Sequence, residues 1–199
     1  MNVETYPSYL QPLMQLLKHV HPISPAIGQY IIDHTDQVEV LSGEMLQESG
    51  SPSIYTYFIV KGAIRGFITE NKKDITTWIS TEGELVSSIS GIDGNADSLE
   101  NIQALEECVL LRIANKTMHE LYDLYPEFNI VGRKMLQSYY RDAEKRAFVV
   151  RLKSAEHKYL FFLEHYTHLS NRIQLQYIAS FLGITMETLS RVRRKISFS

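Results

Sequence analysis

Residues 174–195 read Gln174-Leu175-Gln176-Tyr177-Ile178-Ala179-Ser180-Phe181-Leu182-Gly183-Ile184-Thr185-Met186-Glu187-Thr188-Leu189-Ser190-Arg191-Val192-Arg193-Arg194-Lys195. Leu175, Ile178, Ala179 and Leu182 stand at i, i+3, i+4 and i+7, one apolar face of a short amphipathic helix. Gly183 follows the last periodic residue, where a left-handed residue ends a helix. Thr185 suits the N-cap of a second helix, and Glu187 falls in its first turn, where the helix dipole favours an anion. Leu189, Val192 and Ile196 then repeat at i, i+3 and i+7. Two short helices joined by a glycine-containing turn, the second ending in Arg191, Arg193, Arg194 and Lys195, form the pattern of a helix-turn-helix. The plainer alternative is a helical hairpin with a solvated basic end. Turn, cap, apolar faces and charge agree with one another, and together they favour a DNA reader.

Working outward, the charge is uneven. The chain of 199 residues carries a net charge of −3. From Arg172 onward five basic residues face Glu187 alone, a local +4 that leaves −7 on the remainder. A basic end on an acidic body is the footprint expected of a site for a polyanion. Hydrophobic content of 44% against 22% charged residues places the chain among globular proteins able to bury a core. The single cysteine, Cys108, excludes an internal disulfide, a cysteine-ligated iron–sulfur cluster and a Cys-rich zinc site within one chain, and fits a reducing cytoplasm. No apolar run reaches the roughly eighteen residues of a membrane span. The N-terminus lacks a basic region followed by an apolar one, so neither a signal peptide nor a membrane partner is expected.

The N-terminal part reads as helical. Leu13, Leu16, Leu17 and Val20 have helical spacing, and Ser24-Pro25 is an N-cap followed by proline at the first helical position. From Gln37 the period changes. Short β-rich runs at Val38–Leu41, Met45–Glu48, Ile54–Lys61, Ala63–Thr69, Ile75–Ser80, Ile102–Leu105 and Cys108–Ile113 are punctuated by Gly43, Gly50, Gly62 and Gly83. Asn71-Lys72-Lys73-Asp74 is a polar hairpin tip. This spacing predicts an antiparallel barrel or jelly roll. Between Gly83 and Ile102 lies a small-residue insertion without lysine or arginine, of a kind often functional. As a phosphate cradle it offers only backbone N–H groups, and Glu84, Asp93, Asp97 and Glu100 oppose an anion. After a short helix at Thr117–Tyr122, a long one spans about 127–153. Phe128, Val131, Met135, Tyr139, Ala143, Ala147 and Val150 form its apolar stripe, read as a coiled-coil seam between two chains in preference to a stripe packed on the barrel. Ser154 caps a further helix through Tyr159, Leu160 and Leu163.

The order barrel, long helix, helix-turn-helix resembles the Crp/Fnr superfamily of bacterial transcription regulators over nearly the whole chain. Ser42-Gly43-Glu44-Met45-Leu46, Gly50 and Tyr57-Phe58-Ile59-Val60-Lys61-Gly62 are similar to the glycine-punctuated strands of its cyclic-nucleotide-binding domain. Gly83-Glu84-Leu85 resembles the opening of its phosphate-binding cassette. Tyr177-Ile178-Ala179, Gly183-Ile184-Thr185 and Thr188-Leu189-Ser190-Arg191 resemble its helix-turn-helix signature. Ile75-Thr76-Thr77-Trp78 and Ile102-Gln103-Ala104-Leu105-Glu106 resemble a Bacteroidetes-type branch.

The resemblance implies an α+β fold divided into a cyclic-nucleotide-binding-like effector domain over 1–125, a dimerisation helix over 126–153 and a DNA-binding domain over 154–199 that lacks a full wing. It implies a cytoplasmic homodimer whose partners are double-stranded DNA, RNA polymerase and an unknown small-molecule effector. Where cyclic-AMP-binding members carry an Arg-Ser or Arg-Thr pair late in the cassette, this chain has Ser98 and Leu99. The strongest contact to a buried phosphate is therefore missing and cyclic AMP is not the expected ligand. The effector-pocket candidates are Gly83, Glu84, Leu85, Ser98 and Leu99. In the recognition helix Met186 replaces the usual arginine while Glu187 and Arg191 are kept, so the operator is expected to differ. Thr185, Met186, Glu187, Ser190 and Arg191 are the base-reading candidates, and Arg193, Arg194 and Lys195 the phosphate contacts. The alternative is a small-molecule-binding or protein-interaction module with a vestigial DNA domain. A cupin-type enzyme needs histidine ligands on barrel strands, and residues 37–113 contain no histidine. No catalytic residue, metal ligand or cofactor is assigned.

Overall fold

A computed structural model describes residues 6–91 and 96–197. After a single 3-10 turn the elements run α1 (Gln11–Val20), α2 (Pro25–Asp33), β1 (Asp36–Val40), β2 (Met45–Gln47), β3 (Tyr55–Lys61), β4 (Ile64–Glu70), β5 (Lys73–Ser80), β6 (Leu85–Val86), β7 (Asn101–Ala104), β8 (Cys108–Ala114), α3 (Asn115–Leu124), α4 (Phe128–Val149), α5 (Ala155–Tyr166), α6 (Leu175–Leu182) and α7 (Met186–Ser197). The eight strands form two open four-stranded sheets, ordered β1-β8-β3-β6 and β2-β7-β4-β5, rather than one closed barrel. The chain divides into two compact units, Met1–Arg65 with Ser80–Ser138, and Gly66–Ile79 with Tyr139–Ser199.

Local chemistry accounts for most element ends. The Ser24 hydroxyl accepts the Ile27 N–H at 3.4 Å and Pro25 opens α2, as the Ser-Pro pair requires. Asn71 and Lys72 adopt φ of 51° and 64° between β4 and β5. Two consecutive left-handed residues make the tight turn whose twist matches that of its strands. β6 lies outside the expected strands. It is two residues long, too short to show a period, and exists because Leu85 and Val86 pair with Phe58 and Tyr57 of β3.

In the first unit β3 lies between β6 and β8, and antiparallel pairing puts Phe58 opposite Leu111. Both side chains face the helices. They join Leu10, Met14, Leu17, Ile27, Ile31, Leu121, Phe128 and Val131 in one buried cluster. Burying each such side chain contributes about 1.5–3 kcal/mol, so this layer holds the N-terminal helices, α3 and the start of α4 to the sheet. In the second unit Phe162 is fully buried; it stacks on Tyr166 at 5.4 Å and meets Phe181 edge-on at 6.2 Å. Leu169, Ile178, Leu182 and Leu189 of the same unit are also fully buried.

The long helix divides its apolar residues differently from the expected stripe. Phe128 and Val131 are buried in their own chain's core, with Met135 packed against it. The exposed apolar row instead runs through Leu136, Tyr140, Ala143 and Ala147. The spacings of four, three and four are those of a heptad seam. Sequence periodicity merges the two faces because they adjoin on one helix.

Gly62 has φ of +112°, and a Cβ there would lie 2.4 Å from Cys108 Sγ and 3.0 Å from Cys108 Cα. Backbone strain and overpacking would act together at this site. Gly62→Ala is expected to lower stability by about 2–4 kcal/mol, read as an earlier urea midpoint; an unchanged midpoint would refute this account of the turn.

Candidate nucleic-acid interface

α6 and α7 are joined by three residues, Gly183, Ile184 and Thr185. Gly183 takes φ of 60° and ψ of 43°, the left-handed conformation that a helix C-terminus asks of glycine. Its N–H donates to Ser180 O at 3.0 Å, and the Ile184 N–H donates to Ala179 O at 3.0 Å. Two of the terminal carbonyls of α6 are thereby satisfied. A third, Leu182 O, accepts from Lys158 Nζ of α5 at 2.9 Å, and Lys158 is itself buried. A cation at a helix C-terminus also meets the negative end of the dipole. An unpartnered buried carbonyl costs about 1–3 kcal/mol, so Lys158 fixes where the turn begins. No local pattern in the sequence marks it, since Lys158 and Leu182 belong to different helices.

Thr185 caps α7, its hydroxyl accepting the Thr188 N–H at 3.2 Å. Thr185, Met186, Glu187, Ser190 and Arg191 are all exposed, with Met186 at 47%. The Glu187 carboxyl is held below the usual carboxylate range by its own backbone N–H, then by the Thr185 hydroxyl and by Arg191. It is therefore ionised at neutral pH and is an acceptor only. Thr188, absent from the expected set, links the row. Its hydroxyl accepts from Thr185 Oγ1 at 3.2 Å and from Arg191 Nη2 at 3.3 Å. The spacing of 185, 188 and 191 by threes is the signal that could have found it. This small network aims the Arg191 guanidinium along the start of the helix.

The three remaining cations separate. Arg193 donates to Ser170 O at 3.2 Å and to Asn171 Oδ1 at 3.1 Å, tying α7 to the loop before α6. Lys195 pairs with Glu156 at 2.6 Å. Glu156 is held below the usual carboxylate range chiefly by the hydrogen bond from Lys195. A carboxyl whose folded pKa is depressed contributes above its unfolded pKa and loses that contribution as pH falls through the folded value. The pair is therefore intact at neutral pH, and its exposure keeps its contribution small. Arg194 is exposed.

The expected effector residues fall into two local structures. The Gly83 N–H donates to Ile59 O and the Ile59 N–H to Glu84 O, each at 2.9 Å, while Leu85 pairs with Phe58. Their backbone continues the edge of β3. Ser98 is buried and sewn to the β2–β3 loop, its N–H donating to Ser51 O at 2.9 Å and its carbonyl accepting from Gly50 N–H at 2.8 Å. Its hydroxyl lies 2.7 Å from Ser88 Oγ and 2.6 Å from Glu100 O. Glu100 O can only accept, so Ser98 donates there and accepts from Ser88. Ser90 Oγ, 3.2 Å from Ser88 Oγ, then donates to Ser88 and accepts the Leu99 N–H at 3.0 Å. Ser88, Ser90 and Ser98 thus form a directional chain of three hydroxyls. Leu99 is 76% exposed, and Asp93 lies outside the described residues.

Residues 37–125 match the family model of the cyclic nucleotide-binding domain. No curated protein matches the sequence. Among solved structures the chain is similar to FixK2 from Bradyrhizobium japonicum, at 17% identity over 82% of this chain and 85% of that one, TM-score 0.72. It is similar to a transcriptional regulator of the Crp/Fnr family from Eubacterium rectale, at 16% identity over 96% and 88%, TM-score 0.72. It is also similar to the catabolite activator protein of Thermus thermophilus, at 18% identity over 92% and 86%, TM-score 0.54. At these identities the likeness is one of fold. The chain has the Crp/Fnr fold, with a cyclic-nucleotide-binding-type domain within it. Among the described residues no helix is long and apolar enough to cross a membrane.

Proposed function

From the Crp/Fnr fold of the chain, we propose that it is a cytoplasmic, sequence-specific DNA-binding transcription regulator that acts as a homodimer and not as an enzyme. The observation that carries the reading is the capped turn between α6 and α7, which presents Thr185, Met186, Glu187, Ser190 and Arg191 on one exposed stretch. Glu187 is suited to accept from cytosine N4, Arg191 to donate to guanine, and Met186 to meet a thymine methyl. Arg194 contacts phosphate. Arg193 and Lys195 serve first to brace α7, since both already have partners in the chain.

The functional division follows the sequence reading: an effector domain over 1–125, a dimerisation helix over 126–153 and a reader over 154–199. The row Leu136, Tyr140, Ala143 and Ala147 is the seam between two chains. Pairing two α4 helices would set two α7 helices into successive major grooves roughly 34 Å apart on a pseudo-palindromic site. RNA polymerase is the further partner that such a regulator would engage. The cassette closes on its own hydroxyls and does not hold cyclic AMP. Any effector is a different small molecule.

Arg191→Ala is expected to weaken binding to the cognate operator by about 1–3 kcal/mol and to relax base preference at one position. Arg194→Gln should weaken all sequences alike and flatten the salt slope by about one unit. Gel shifts across a salt series separate these two, and an Arg191→Ala protein with unaltered base preference would remove its reading role. Leu136→Asp should convert a dimer into a monomer by light scattering and lower operator affinity more than about 10-fold, as loss of a linked second half-site implies. A dimer that survives the substitution places the seam elsewhere. Calorimetric titration of the full chain with cyclic AMP should give no binding heat up to about 1 mM, the weak limit of ordinary ligand affinity; saturable binding would overturn the closed-cassette reading.

A further inference from the structure

β5 is the outer strand of its sheet. An outer strand leaves a row of N–H and C=O groups without a neighbouring strand, a liability that folds cover or blunt. At Asp74 and Thr76 these groups converge on one side chain. The Thr76 N–H donates to Ser180 Oγ at 2.9 Å, and Ser180 Oγ donates to Asp74 O at 3.1 Å. The carbonyl of one strand residue and the N–H of the next but one point the same way, and a residue of an added strand would bond both. A serine hydroxyl, donor and acceptor at once, takes the place of that residue. Thr76 is buried at this contact.

Ser180 lies on α6, and its main chain has a second task. Its carbonyl accepts the Gly183 N–H at 3.0 Å, one of the bonds that closes the turn into α7. One residue therefore holds the β4–β5 hairpin with its side chain and the α6–α7 turn with its backbone. The hairpin and the C-terminal helices belong to the same compact unit. Within the hairpin, Gly66 lets the Trp78 indole lie across the neighbouring strand, where a Cβ would come within 2.1 Å of the ring, so the two strands are keyed together.

We infer that Ser180 is a positioning residue of the DNA reader, clipping α6 to the outer strand β5 so that the turn and α7 are held in place before DNA is met. The inference rests on the regulator reading above. It adds a strand-edge contact to the set of groups that fix the recognition helix, beside Lys158 of α5, which bonds the end of α6, and Arg193 on α7.

Threonine and valine at position 180 have nearly the same shape and differ by the hydroxyl, which makes them the deciding pair. In the full chain, Ser180→Thr should keep slow hydrogen exchange at the Thr76 amide and keep operator affinity. Ser180→Val should speed that exchange about 10-fold or more and weaken operator binding about 3- to 10-fold for all sequences alike, the scale of losing one pair of neutral hydrogen bonds. Because α7 itself is untouched, base preference and salt slope should not move. Thr and Val variants that behave alike in exchange, or a Val variant that binds within about twofold of its parent or more tightly, would overturn the role of Ser180 alone. A parent chain with no sequence preference on DNA would overturn the regulator reading and this role with it.

Discussion

Leu182 ends α6 with a carbonyl that its own helix cannot bond, and the geometry of the C-terminal unit depends on how that end is closed. Lys158 reaches it from α5, Gly183 turns the chain left-handed, and Ile184 bonds back to Ala179. Together they partner carbonyls that the end of α6 leaves open, which is why the turn has one conformation rather than several. The direction in which α7 leaves follows from that closure. Thr185 then starts α7 where the turn ends, and the exposed row from Thr185 to Arg191 inherits its position from groups that never touch it.

The same rule, that buried polar groups find partners, shapes the segment around Ser98. Residues 83–102 contain no lysine or arginine. Ser88, Ser90, Ser98 and the backbone of Leu99 and Glu100 instead satisfy one another in sequence. A hydroxyl chain of this kind rigidifies a loop that would otherwise present open donors.

Much of this was legible from residue order. The Ser24 cap, the Gly183 stop, the Thr185 cap and the hairpin tip at Asn71 and Lys72 all appeared as expected, because each depends on residues within one turn of chain. The strand positions followed from alternation and glycine. What periodicity misread was α4. Phe128 and Val131 share their spacing with the outward row but belong to the core, and only the sheet beneath them distinguishes the two faces. β6 was invisible because two residues carry no period, and Thr188 because its role is to hold other side chains rather than to project as they do.

The sequence by itself determined the element order, the ends of most helices and which helix carries the exposed basic and polar row, since these follow from local sterics, capping and charge. The tertiary structure decided which groups are already engaged. Arg193 with Asn171, Lys195 with Glu156, Lys158 with Leu182 and Ser180 with Asp74 and Thr76 join residues between 22 and 106 positions apart. A hydrogen bond acts over about 3 Å and carries no trace in the spacing of the chain, so such partners become known only once packing has brought them together.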